Sequence, residues 1–389
     1  MSLHAHWGHS DLLATLARAR QRDSLPAALL IHGPKGVGKQ HLALWLGRLL
    51  LCRDPGPEGP CEACSSCRLA LKLEHPDLHW FFPLSRPKNA SNPEKLARAL
   101  EEARWEALAE IRRDPLRPLI SDGPRSLYLA AAQTLRRQAQ HRPSMGDRQV
   151  FLVAEAEALA PQESSSEAAN ALLKLLEEPP TGTTLILTSG EPGRLLPTIR
   201  SRTTQLHLPP LKKEEVVAFL TGVMGVEGKE AKRVGALSQG SIGRAVRLLP
   251  DAEGPGPLEQ VRLQAFGLLR AALAPSPTEA LTEALTFKTT GARGLMELMD
   301  FLAEWLRDLA LAASGEYDRA MNPDGEGFFR EVLNRWDISP FRISSGLGRL
   351  DEARLLASGN ANPQLLVFGL LHDLRKALLE GQAPSSPER

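Results

Sequence analysis

The chain has 389 residues, 42% of them hydrophobic, which is too long for one ordinary core and apolar enough to bury two or three. Its 47 basic and 46 acidic residues leave a net charge of +1, which excludes a protein drawn to nucleic acid or membrane by bulk charge; any contact with DNA has to be local or indirect. No apolar run reaches the ~18 residues that span a bilayer, and the start Met1-Ser2-Leu3-His4-Ala5-His6 has no secretory pattern, so a folded, cytosolic protein with no membrane partner is expected.

In chain order, the apolar run Ala27 to Ile31 predicts a buried strand and Lys39 to Leu51 predicts a helix. Between them lies Gly33-Pro34-Lys35-Gly36-Val37-Gly38-Lys39. Strand, glycine-rich turn, lysine and helix are the parts of a phosphate-binding loop: Gly33, Gly36 and Gly38 let backbone amides wrap phosphates, and Lys39 reaches their outer oxygens. The next residue should carry the hydroxyl that ligates Mg²⁺. It is Gln40, which has none.

All four cysteines follow within sixteen residues, as Cys52-x8-Cys61-x2-Cys64-x2-Cys67 around a turn-rich Asp54-to-Pro60 segment. That spacing suits a closed tetrahedral Zn²⁺ site of four thiolates, with no open position and therefore a structural metal. A pair of disulfides is the alternative, which a reducing cytosol disfavours. The departure from two-plus-two spacing argues against a DNA-binding finger and for a small knob within a larger domain. After a strand entrance at His75-Pro76-Asp77-Leu78-His79, residues from about 85 to 125 read as a surface insertion, with charged helical sequence to about Arg113. Arg112, Arg113, Arg117, Arg136 and Arg137 are expected on solvated helix faces, a local patch for DNA or a partner being the alternative.

The run Val150-Phe151-Leu152-Val153-Ala154-Glu155 predicts a second strand of the same sheet, and Ala154 stands where a working ATPase has the aspartate that holds magnesium. Only Glu155 remains, with Glu157 beyond it. With groups missing at both Gln40 and Ala154, neither Mg²⁺ nor ATP hydrolysis is expected; ATP binding through Lys39 and the loop amides stays open. Asn170 to Pro180 predicts a helix with leucines on one face, stopped by Pro179-Pro180 and started by a capping box of Ser164 and Glu167. Thr184 to Ser189 predicts a central parallel strand whose exposed end, Thr188 and Ser189, faces a nucleotide crevice. Another strand is expected around Gln205 to Leu208, then Pro209-Pro210, a helical segment to about Leu249 and a breaker-rich linker from Pro250 to Pro257. Helical periodicity continues near 258–274, 291–314, 342–357 and 363–380, without strand-like alternation.

The order of these motifs, with Asn170-Ala171-Leu172-Leu173-Lys174-Leu175-Leu176-Glu177-Glu178-Pro179-Pro180 and Ser201-Arg202-Thr203 after the cysteine cluster, resembles the clamp-loader ATPase family of bacterial DNA polymerase III over most of residues 7 to 250. The resemblance implies an α/β AAA+ domain with a parallel sheet over residues 1–208, a helical lid over 209–249 and an all-helical collar domain over 257–389. It further implies that Arg202, matching the Arg of a Ser-Arg-Cys motif with Thr203 in place of Cys, is an arginine finger reaching ATP in an adjacent subunit. Arg244, in Gly240-Ser241-Ile242-Gly243-Arg244, would point back at the chain's own pocket. Gln40 and Ala154 favour the delta-prime branch, where a degenerate site is expected, over the ATP-hydrolysing gamma/tau motors. The implied partners are gamma/tau and delta subunits and, through the complex, the sliding clamp and primer-template DNA.

Overall fold

The computed structural model describes residues 6–87, 92–113, 115–116, 125–159, 167–251, 254–287, 291–357 and 362–380. The chain divides into two compact units, Met1–Val246 and Arg247–Arg389. The first begins with α1 (Ser10–Gln21), β1 (Ala28–His32), α2 (Lys39–Leu51), α3 (Ser65–Leu71), β2 (Leu78–Phe81), β3 (Leu84–Ser85) and α4 (Pro93–Arg113). It continues with β4 (Arg125–Ser126), α5 (Leu129–Ala139), β5 (Gln149–Val153), α6 (Glu167–Glu177), β6 (Thr183–Ser189), α7 (Pro197–Arg200) and β7 (Thr204–His207). Three helices follow, α8 (Lys213–Gly222), α9 (Gly228–Leu237) and α10 (Ile242–Leu248).

Five strands form one parallel sheet in the order β2-β5-β6-β1-β7. Every residue of β5 and β6 is buried, whereas β7 at the edge is largely exposed. The central strands carry continuous apolar runs, Leu29 to Ile31, Val150 to Val153 and Leu185 to Leu187, because both faces are covered. Successive side chains then supply opposite layers: Leu29, Ile31, Val150, Leu152 and Ile186 join Leu42, Leu46 and Leu49 of α2 on one side. Leu30, Phe151, Val153, Leu185 and Leu187 join Leu135 of α5 and Leu172, Leu175 and Leu176 of α6 on the other. Register aligns the strand ends: Ile31 pairs with Thr188 and Leu206, and Val153 with Leu187, so the carboxyl ends of β5, β6 and β1 finish side by side.

The expected helix at 39–51 is found with those bounds, and the expected strands lie within a residue or so of the predicted ones. The helix read from Asn170 starts earlier, at Glu167; Ser164, its expected cap, lies outside the described residues. Around the insertion, α4 is not simply a solvated rod: Leu100, Arg104, Leu108 and Ile111 are buried. Arg112 also departs from the solvated expectation, donating to the Leu73 carbonyl at 2.8 Å, while Arg113, Arg136 and Arg137 are exposed. Arg117 lies outside the described residues.

The second unit is helical among its described residues: α11 (Pro257–Leu273), α12 (Pro277–Thr286), α13 (Gly291–Ala313), α14 (Glu326–Arg335), α15 (Pro340–Ala357) and α16 (Pro363–Leu379). Four of these coincide with the predicted periodic segments. The other two, α12 and α14, escaped because each spans only ten residues, too few turns for a clear stripe. Buried Asp308 of α13 accepts from the amides of Met321 and Asn322 and from the Asn322 side chain, at 3.0, 2.8 and 2.7 Å, fixing the loop before α14.

Phe151 is fully buried at the centre of β5 and stacks on His79 with ring centroids 4.6 Å apart. Phe151→Ala is expected to cost about 3–5 kcal/mol, measured as a lowered denaturant midpoint of the first unit. Asp308→Ala, which strands three donors, is expected to cost about 3 kcal/mol in the second.

Candidate functional site

The turn from β1 into α2 is closed by its own backbone. Gly36 and Gly38 adopt φ of 78° and 100°, the left-handed region that glycine enters without penalty. A Cβ on Gly36 would lie 2.3 Å from the Ser241 hydroxyl oxygen. That closeness comes from the segment leading into α10, where the Gly243 amide donates to the Gly36 carbonyl at 3.0 Å and the Ser241 hydroxyl to the Lys35 carbonyl at 3.2 Å. Arg244 is held by the same segment: its amide donates to the Ser241 oxygen and its Nε to the Leu237 carbonyl at 2.9 Å.

Lys39, the first residue of α2, turns its ammonium onto the loop, donating to the Gly33 and Pro34 carbonyls at 2.8 and 2.7 Å. Burial lowers its pKa from 10.5 to about 8, against the raising effect of Glu157 and Glu155 and with a further lowering by Lys35. Gln40 is half-buried in the next position and brings no hydroxyl. At the end of β5, Ala154 is a buried methyl packed in the sheet's core, so no carboxylate faces the loop from there. Glu155 follows with φ 49°, its amide donating to the Thr188 hydroxyl at 3.3 Å and its carboxylate 3.6 Å from Arg125. The Glu157 carboxylate accepts from the Gly190 amide at 3.0 Å.

Gly33, Gly36, Gly38, Lys39, Gln40, Glu155 and Thr188 thus gather around the carboxyl ends of the strands, where ligands of open α/β sheets bind. Thr188 and Ser189 differ from expectation in being buried rather than exposed, because the turns after β5 and β6 cover them. No motif surrounds Arg125, which comes from a two-residue strand and could not be read as part of the site.

Arg202 belongs to a separate constellation. It pairs with Glu177 at the end of α6 and donates to the Thr198 carbonyl at 3.1 Å, sharing no partner with Lys39. The buried Thr203 hydroxyl donates to the Ile199 carbonyl at 3.0 Å, anchoring the end of α7 beside Arg202.

The four cysteines converge, with their sulfurs all within 4.8 Å of one another and no disulfide among them. The Cys61, Cys64 and Cys67 amides donate to the sulfurs of Cys52, Cys61 and Cys64 at 3.3, 3.4 and 3.4 Å, the N–H···S pattern that favours thiolates. The group can hold a metal ion.

Because folded Lys39 releases its proton near pH 8 and the unfolded chain keeps it to 10.5, the unfolded state binds more protons in that window and this group makes stability rise with pH there. Lys39→Met is expected to flatten that rise, as read from denaturant unfolding between pH 8 and 10.

A family model described as "DNA polymerase III, delta subunit" matches residues 8–212, more than half of the chain. The delta' subunit of DNA polymerase III from Pseudomonas aeruginosa is 35% identical over 254 residues, 64% of this chain and 63% of that protein. The Escherichia coli delta' subunit is 28% identical over 356 residues, 91% of this chain and 90% of that protein. The tau subunit of Salmonella typhimurium is more distant in coverage, at 27% identity over 72% of this chain and 37% of that protein. The chain therefore spans under two thirds of the Pseudomonas relative and nearly all of the E. coli one. On the matched model and these relatives, the chain belongs to the delta' family of DNA polymerase III subunits.

Proposed function

We propose that the chain is a clamp-loader subunit that does not hydrolyse ATP itself and that lends Arg202 to the ATP site of a neighbouring subunit. The observation that carries this reading is the contrast between its two polar constellations. Around its own loop both magnesium-holding groups are replaced, by Gln40 and Ala154, Lys39 is engaged by loop carbonyls, and Glu155 faces Arg125. Phosphoryl transfer depends on the metal and on charge placed around the γ-phosphate. Arg202, by contrast, stands on the short α7–β7 turn with Glu177 as its half-exposed counter-ion. A pair of that exposure contributes at most about 1 kcal/mol, so a nucleotide's phosphates can displace the carboxylate.

On this reading Gly33, Gly36, Gly38, Lys39, Gln40, Glu155, Thr188 and Arg244 line a degenerate nucleotide site, in which ATP binding is weak at most and Mg²⁺ has no place. Three helices, α8 to α10, act as a lid closed on the loop through Ser241 and Gly243. The helices of 257–389 join the collar with gamma/tau and delta subunits, and the sliding clamp and primer-template DNA are met through the assembled complex. Cys52, Cys61, Cys64 and Cys67 fit Zn²⁺: four soft donors, no disulfide and no fifth group in reach among the described residues make a closed structural site. Among the described residues no helix is long and apolar enough to cross a membrane.

ATP turnover by the purified chain, alone and with motor subunits, clamp and primed DNA, tests the reading. The chain alone is expected to show none. In the assembly, Arg202→Ala is expected to lower turnover by about 10³-fold at the site it serves. Turnover by the isolated chain that Lys39→Ala abolishes would instead make it a gamma/tau-type motor.

A further inference from the structure

Arg48 is one of the most deeply buried charged residues of the first unit, 2% exposed, and its function is not in the nucleotide loop. It lies one turn before Cys52 on α2, at the i, i+4 spacing that places two side chains on the same helix face. Cys52 and Cys67 are buried there with it. Its Nη2 meets the Glu62 carboxylate at 3.2 Å, and Glu62, with φ 58°, sits inside the Cys61–Cys64 turn. Glu62, Cys67 and Cys52 all lie close enough to act on its charge.

We propose that Arg48 is the charge-compensating residue of the four-cysteine metal site, a buried cation that makes four clustered thiolates tolerable. The proposal rests on reading the cysteines as one metal site. Zn²⁺ with four thiolates carries a net charge of −2, and a buried charge is costly unless an opposite charge lies beside it. The four sulfurs are not equally placed. Cys64 caps the start of α3 and accepts the Cys67 amide, so backbone dipoles favour its anion. Cys52 also accepts an amide, that of Cys61 at 3.3 Å, but it stands at the other kind of end, as the residue following α2, where unsatisfied carbonyls make the potential negative. A thiolate there needs a cation, and the side chain one turn back supplies it. Glu62 is 69% exposed in its side chain, so it orients the guanidinium from the rim while most of its own charge stays in water. Arg48 is a positioning and compensating residue and not a ligand.

The test uses the full-length chain, titrated with Zn²⁺ against a chromophoric chelator and with Co²⁺ followed by its four-thiolate absorption. Arg48→Met is expected to weaken metal affinity by about 10- to 100-fold, whereas Arg48→Lys, which keeps the charge, holds it within a few-fold. Glu62→Gln leaves Arg48 in place and removes a competing anion, so affinity stays level or tightens. Equal affinity for wild type and Arg48→Met would overturn the role of Arg48. A loss in Glu62→Gln as large as in Arg48→Met would also overturn it, since the pair would then act only as a clasp. Where Arg48→Met does not fold, Arg48→Lys and Glu62→Gln both within a few-fold of wild type support the role, and a loss of about 10-fold or more in either overturns it. Wild-type chain that takes up neither metal would instead overturn the reading of the site itself.

Discussion

Burying both faces of a parallel sheet leaves polar groups few places to go. In β5 and β6 every residue is buried, the central ones in one apolar layer or the other, so polar side chains such as Gln149, Thr183, Thr188 and Ser189 collect at the strand ends. The register of β1 with β6, and of β5 with β6, brings the carboxyl ends to one edge. The glycine turn, Lys39, Glu155 and Thr188 are neighbours for that reason, whether or not the edge performs chemistry. The same burial explains the behaviour of Lys39: an ammonium partly removed from water must find acceptors, and the Gly33 and Pro34 carbonyls are the ones at hand.

On the proposed reading, this architecture separates what the chain keeps from what it has lost. A phosphate loop without metal-holding groups is, on that reading, still a good structural joint. It seats the start of α10 through Gly36 and Lys35, and its glycines are needed for that contact as much as for any ligand. Arg202 depends on none of this. It needs only the end of α6 for Glu177 and a firm α7–β7 turn, which the Thr203 hydroxyl helps to hold. On the proposed reading the subunit is a rigid presenter of one guanidinium. The four-cysteine segment follows directly on the end of α2, the helix that begins with Lys39.

Much of the fold was legible in the sequence because its signals are local. A strand ending in glycines, a helix ended by Pro179-Pro180 and four closely spaced cysteines each carry their geometry within a few residues. What could not be read was whatever depended on distant chain. Nothing near Arg125 announces that it faces Glu155, and nothing near Arg112 announces that it will brace the Leu73 carbonyl. Thr188 and Ser189 read as exposed because they end a strand; the turn after β6 covers Ser189 locally, but the one that reaches Thr188 follows β5, far back in the chain. Nothing in the sequence around Arg48 announces that Glu62 and the cysteine turn will fold back onto its end of α2.

The most direct test of the central claim is a cryo-EM structure of the assembled complex holding a non-hydrolysable ATP analogue. The account predicts the Arg202 guanidinium within hydrogen-bonding distance of the γ-phosphate in a neighbour's pocket, parted from Glu177, with Lys39 still on the Gly33 and Pro34 carbonyls. Arg202 still paired with Glu177 beside no nucleotide, or a magnesium–nucleotide seated in this chain's own loop, would contradict it.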